Sequence, residues 1–239
     1  NQFITVDIAP NARINIGFTG NYFDAVVRVI SGTTDTILFL DTTWTYLTFL
    51  SDDNAMIIYG DLEKFDCSNN GLSINAINVD NNTILTYLNC SSNNISNLNV
   101  ANNTALNTLF TNSTQLSNLD VSKNLALTSL YCNNNNLTTL DVANNTQLEI
   151  LACNNNALTS LDLSANTALN YLACYGNNFT SKDYDLLMCS MNQIDSVIGK
   201  FFPLRASSDP NYTQFMAANS NTAINKNWDV LYYSVNVNI

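Results

Sequence analysis

Between residues 62 and 179, apolar positions recur in two alternating phrases. The first is Leu-x-x-Leu-x-Cys-x-x-Asn-x-Leu. It runs Leu62-Phe65-Cys67-Asn70-Leu72, Leu85-Leu88-Cys90-Asn93-Ile95, Leu106-Leu109-Thr111-Thr114-Leu116, Leu127-Leu130-Cys132-Asn135-Leu137, Leu148-Leu151-Cys153-Asn156-Leu158 and Leu169-Leu172-Cys174-Asn177-Phe179. The second is Leu-x-x-Leu-Asp-Val-x-x-Asn, as in Leu116-Leu119-Val121-Asn124 and Leu137-Leu140-Val142-Asn145. From Cys90 onward the cysteine slot returns every 21 residues, with Thr111 in one place and then Cys132, Cys153 and Cys174. A fixed period of this length predicts a solenoid.

The alternation within Leu-x-Cys and Leu-x-Val has period two, which predicts extended backbone with every second side chain inward. A short parallel strand is expected at each Leu-x-Cys, and a second extended or 3₁₀ segment at each Leu-x-Val. The asparagine columns are expected at the corners, because asparagine tolerates left-handed backbone and bonds neighbouring main chain. Cys67, Cys90, Cys132, Cys153 and Cys174, with Asn93, Asn135, Asn156 and Asn177, thus form a structural ladder. The first turn has 23 residues from Cys67 to Cys90, so a bulge is expected near Leu72–Asn75.

The ends do not follow the repeat. Residues 1–61 hold β-rich runs at Phe3–Ile8, Arg13–Phe18, Asp24–Ile30, Thr36–Asp41, Trp44–Leu50 and Ala55–Tyr59, separated by turn residues such as Pro10-Asn11, Gly20-Asn21 and Asp52-Asp53-Asn54. They predict a small sandwich-like β domain. Residues 62–179 are the solenoid, and residues 180–239 an α/β cap over its exposed end. Within that cap, Tyr184, Leu187, Met188 and Met191 have helical spacing, with Thr180 or Ser181 as N-cap. Lys200–Arg205 reads as extended. Asp209-Pro210 begins a second helix ending near Asn219, and Val230–Val237 is a final strand. The expected fold class is mainly β.

The repeat resembles the leucine-rich-repeat core. Its 21-residue cysteine form is similar to internalin J-like repeats and to the surface leucine-rich-repeat group of gut Bacteroidetes; Leu116–Asn133 and Leu137–Asn154 carry the likeness. Ile224 to Val230 is similar to the C-terminal cap of the latter group. The resemblance implies bacterial cell-surface or extracellular display, binding of a protein or glycan, and no shared catalytic residue.

Composition narrows the chemistry. The chain has 239 residues, a net charge of −11 and no histidine. Acidity argues against nucleic acid, whose binding needs lysine and arginine to replace counterions. Without histidine, Ser-His, Cys-His and His-metal sites are excluded. No run of residues is apolar and long enough for a transmembrane segment. Asn1 reads as the start of a processed or trimmed chain. Six cysteines invite a disulfide reading, but five of them recur at one inward position with parallel Cβ directions, which disfavours bridging. They are expected as buried free thiols, with Cys189 helical and off the ladder. No cofactor is expected, and the chain is expected to be a monomer.

Two outward columns remain. Tyr87, Phe110, Tyr131, Tyr171 and Tyr175, with Ile150, project from the cysteine-strand face. Large apolar groups on a solvated sheet face suit protein hot spots or stacking on sugar rings. Cross-strand packing is the alternative. The second column is Asn78, Asn99, Asp120, Asp141 and Asp162. The three carboxylates are candidates for calcium, or for carbohydrate-active chemistry of the kind that paired acids perform. A solvated ladder is the competing reading. The expected function is a non-enzymatic, adhesin-like binding module. A calcium-dependent carbohydrate-active solenoid and a spacer within a larger surface protein are the alternatives.

Overall fold

The computed structural model describes residues 2–20, 25–50, 53–193, 199–204, 212–218, 224–226 and 228–232. The alternating runs before residue 62 become β1 (Phe3–Ile8), β2 (Arg13–Gly20), β3 (Ala25–Ser31), β4 (Thr34–Leu40), β5 (Thr45–Leu50) and β6 (Ala55–Tyr59). Their inward residues are the β-branched and aromatic ones that fit a half-buried pleated surface, such as Ile4 and Val6 in β1 and Ile14, Ile16 and Phe18 in β2. The first repeat supplies β7 (Leu62–Asp66) and β8 (Ile74–Asn78). One three-residue strand per turn follows: β9 (Tyr87–Asn89), β10 (Thr108–Phe110), β11 (Ser129–Tyr131), β12 (Ile150–Ala152) and β13 (Tyr171–Ala173).

These strands are parallel and in register, each buried leucine beside the next: Leu88, Leu109, Leu130, Leu151 and Leu172. The sheet continues beyond the repeats at both ends. β7 is parallel to β9, β2 pairs antiparallel with β7, and β5 with β2. On the opposite wall β8 pairs antiparallel with β1, in a sheet of order β4-β3-β6-β1-β8. The N-terminal strands therefore extend both walls of the solenoid. One apolar core runs from Ile4 through the ladder to Trp228.

Three details depart from the pattern read in the sequence. Leu72 was expected inward, but it is 74% exposed, and Ile74 is fully buried in its place. The two extra residues of this turn are taken up around Gly71, at φ 60°, so the apolar slot moves on by two. The left-handed residues are not the ladder asparagines but their predecessors. Asn69, Ser92, Ser113, Asn134 and Asn155 have φ between 55° and 59°, and Gly176 has φ 65°. Finally, the Leu-x-Val segments after β8 form neither strand nor 3₁₀ helix. Single bonds join successive turns there, such as Ala157 N–H to the Leu137 carbonyl at 2.8 Å.

At the far end, α1 (Ser181–Ser190) starts at Thr180 in a capping box with Asp183 and buries Tyr184, Leu187 and Met188. β14 (Gly199–Leu204), α2 (Tyr212–Ala217) and β15 (Trp228–Tyr232) complete the described cap. Phe179, Tyr184, Phe215 and Phe201 meet edge to face over the last turn. β14 and β15 carry the parallel sheet on past β13. Asn21, Asp24, Asp52, Arg205, Asp209-Pro210 and Asn219 lie outside the described residues, as does the last part of the expected final strand, residues 233–237.

Candidate binding face

Each short strand buries its central leucine and turns its two flanking residues outward, as period two requires. Register sets those residues in rows. One row is Lys64, Tyr87, Thr108, Ser129, Ile150, Tyr171 and Lys200; the next is Asp66, Asn89, Phe110, Tyr131, Ala152, Ala173 and Phe202. The structure brings most of the expected aromatics together. Phe110 and Tyr131 stack with centroids 4.4 Å apart and planes 7° from parallel, and Tyr87 lies 5.7 Å from Phe110. Tyr171 does not join that stack directly; it packs on Phe202 at 5.4 Å. Tyr175 is only 7% exposed, covered in a cluster with Ala152 and Ala173 beside Tyr131, Tyr171 and Phe202. Its expected projection into solvent is therefore corrected. Small alanines at two successive turns let the larger rings fold over it. Ile150 sits half-buried in the outer row.

Sequence reasoning missed three members of this surface. Trp44 stacks on Tyr46 at 5.5 Å and meets Tyr87 edge-on at 5.3 Å, which lengthens the aromatic row beyond the repeats. Phe202 belongs to β14 in the cap. The period-two spacing Trp44-x-Tyr46 was a visible signal, but nothing in it showed that β5 joins the solenoid sheet. Tyr46 is 63% exposed and lies over Gly17, its cross-strand partner. A Cβ at Gly17 would stand 2.4 Å from the Tyr46 ring. Burial, reinforced by nearby Asp66, pushes the Tyr87 hydroxyl up to about 12, so it stays protonated at ordinary pH.

The second column does local work. The carboxylates of Asp120, Asp141 and Asp162 each accept the backbone N–H two residues on, at 2.9 Å. Asn78 and Asn99 make the same turn with their amide oxygens. The bonds from Ser122 and Ser164 hold the Asp120 and Asp162 carboxyls below the usual carboxylate range. Among the described residues, no three His, Cys, Asp or Glu side chains are grouped to hold a metal ion.

The ladder is buried scaffold. All six cysteines are free, and Cys189 is the exposed one. Burial pushes the Cys90 and Cys153 thiols up to about 12. Asn177 donates from one amide nitrogen to the carbonyls of Cys153 and Cys174 at 3.1 and 2.8 Å, and Asn156 repeats the pattern on Cys132 and Cys153. A parallel column, Asn103, Asn124, Asn145 and Asn166, ties the other corner. A separate apolar patch lies on the outer face of the β3–β4 hairpin, where Phe39 is 74% exposed beside Val26 and Ile37.

The functional domain of InlJ from Listeria monocytogenes, described as including a cysteine ladder, superposes with a TM-score of 0.52 at 29% identity, covering 77% of this chain and 42% of that one. The fold is a leucine-rich-repeat solenoid. A Listeria monocytogenes internalin, InlF, gives a TM-score of 0.45 at 22% identity, covering 53% of this chain and 37% of the other. A leucine-rich-repeat protein of Leptospira interrogans gives 0.39 at 19%, covering 67% and 46%. The chain thus spans less than half the length of each of these structures. No family model and no curated protein matches it. Among the described residues, no helix of this leucine-rich-repeat chain is long and apolar enough to cross a membrane.

Proposed function

We propose that the chain is a non-enzymatic binding module that recognises a protein or glycan through the outward face of its parallel sheet. The observation that carries this reading is the half-exposed aromatic row Trp44, Tyr87, Phe110 and Tyr131. The four rings touch in turn, Trp44 on Tyr87, Tyr87 on Phe110 and Phe110 on Tyr131, and form a single platform on the solvent side of a chain whose core is already filled. Aromatic anchors of this kind supply most of the energy in binding patches. The stacking also stabilises the sheet, but cross-strand packing alone does not call for rings that remain open to solvent on one side. The likeness to an internalin domain supports the binding role. The repeat phrasing supports display at a bacterial surface, with kinship to the Bacteroidetes group.

The purified chain on an array of glycans and extracellular-matrix proteins tests this. A ligand is expected that a Phe110→Ser/Tyr131→Ser variant loses while its melting transition stays cooperative. A ligand kept in full by the variant contradicts the face assignment.

A further inference from the structure

The N-terminal end of the face is built differently from the rest. Trp44 and Tyr46 stand 19° from parallel there, and Tyr87 closes one side edge-on. Lys64, Asn107 and Thr108 help to line the recess they form, of about 360 Å³. That volume lies within the range of small-molecule sites.

The polar atoms of the recess are sorted by type. Asn107 Oδ1 accepts the Thr108 hydroxyl at 2.9 Å, and the Thr86 hydroxyl donates to the Glu63 carbonyl at 3.2 Å. Asp66, the carboxylate on the same strand as Lys64, accepts from Ser68 N–H at 2.8 Å and Asn89 Nδ2 at 3.2 Å. Among the described residues, Lys64 Nζ and Asn107 Nδ2 have no protein acceptor. The recess therefore offers a flat aromatic wall and two donors, one of them cationic.

That combination selects a ligand with an apolar flat face and an anionic edge. The C–H face of a pyranose packs on an aromatic ring, and a carboxylate takes a charge-assisted bond from an ammonium. We propose that this recess binds a uronic-acid unit of an acidic polysaccharide, its ring against Trp44 and its carboxylate on Lys64. Asn107 Nδ2 donates to a ring substituent. The chain's net charge of −11 opposes an anion at long range. Physiological salt screens that repulsion beyond about 8 Å. The balance is therefore set locally, between the Lys64 ammonium, unpaired among the described residues, and the Asp66 carboxylate, whose oxygens already accept from Ser68 and Asn89. The inference rests on the binding-face reading and narrows it to one end.

Calorimetric titration of the full chain with uronic-acid tetramers (galacturonate, mannuronate and glucuronate) tests it, with cellotetraose as the neutral probe. Binding of at least one acidic tetramer is expected, weakened about tenfold or more by Trp44→Ala and by Lys64→Gln, and unchanged by Leu72→Ser, at an exposed side chain off this face. Lys64→Gln keeps the stem of a surface side chain, so it separates charge loss from misfolding. No heat with any acidic tetramer, or equal binding of cellotetraose, overturns the proposal. So does displacement of a bound tetramer by a polyglutamate peptide at equal strength. If Phe110→Ser/Tyr131→Ser abolishes tetramer binding and Trp44→Ala does not, the recess assignment fails while the face reading stands.

Discussion

At the residue scale, the ladder positions were legible because their chemistry is local. An inward cysteine or asparagine every turn follows from spacing alone. What each asparagine does was less legible. In the cysteine-side column the left-handed residue proved to be its predecessor, and in both columns the asparagine hands its amide to carbonyls of two successive turns. Asn145 donates to Val121 and Asn124 carbonyls at 3.0 and 2.9 Å. Each of those carbonyls keeps one backbone donor, from Asn124 and Leu127 N–H, so Asn145→Ala removes two hydrogen bonds and should cost about 1–3 kcal/mol by urea denaturation. Asn82 stands at the head of the same column, fully buried, and its amide atoms have no partner among the described residues. Asn82→Ala should cost clearly less; an equal cost would contradict the hydrogen-bond explanation. The thiols give a second prediction. Cys90 and Cys153 stay protonated in the fold up to about 12, against an ordinary value of 9.0. Above the unfolded value only the unfolded chain ionises, so their contribution is complete below about pH 9 and is lost as pH rises towards 12. Thiol reagent should label Cys189 in the native chain and all six cysteines after non-reducing unfolding. Recovery of fewer than six would mean disulfides.

At the element scale, the short strands were predictable, and the corners follow from backbone geometry. Gly176 is the position where that geometry needs glycine most. At φ 65° its added Cβ would stand 2.3 Å from Asn155 Oδ1 and 3.3 Å from Asn155 Cα. Gly176→Ala should destabilise the chain by about 1–3 kcal/mol, read as a lower urea midpoint. The aspartate column is an element-scale feature as well. Its carboxylates close turns, and Asp120 and Asp162 titrate low. They favour the fold above the ordinary carboxylate range and lose that contribution as pH falls through their lowered values. Calcium should leave the melting temperature unchanged; a rise at millimolar calcium would revive the metal reading of Asp120, Asp141 and Asp162.

At the scale of the whole molecule, long-range pairing was the part the sequence could not display. The β-rich runs before residue 62 were visible as strands, but period two does not name a partner. In the structure β1 pairs with β8 and β2 with β7, so residues 2–61 share both walls of the solenoid. That pairing also brings Trp44 and Tyr46 beside Tyr87 on the candidate binding face, where sequence reasoning did not place them. A chain beginning at residue 62 would expose two unpaired strand edges and the open end of the core. It should aggregate or lose its cooperative melt, whereas a monomeric, cooperatively melting product would show that residues 1–61 are a dispensable domain. The candidate binding face is likewise a property of the assembled molecule, because its rings come from Trp44 and Tyr46 at the start of β5, four repeat strands and β14.

Its location is tested most directly by hydroxyl-radical footprinting of the chain with and without its array ligand. Protection should fall on Tyr87, Phe110 and Tyr131, with Phe39 and Leu72 oxidised as in the free chain. Protection centred on Phe39 and Ile37, with the sheet-face rings unchanged, would contradict the face as the binding surface.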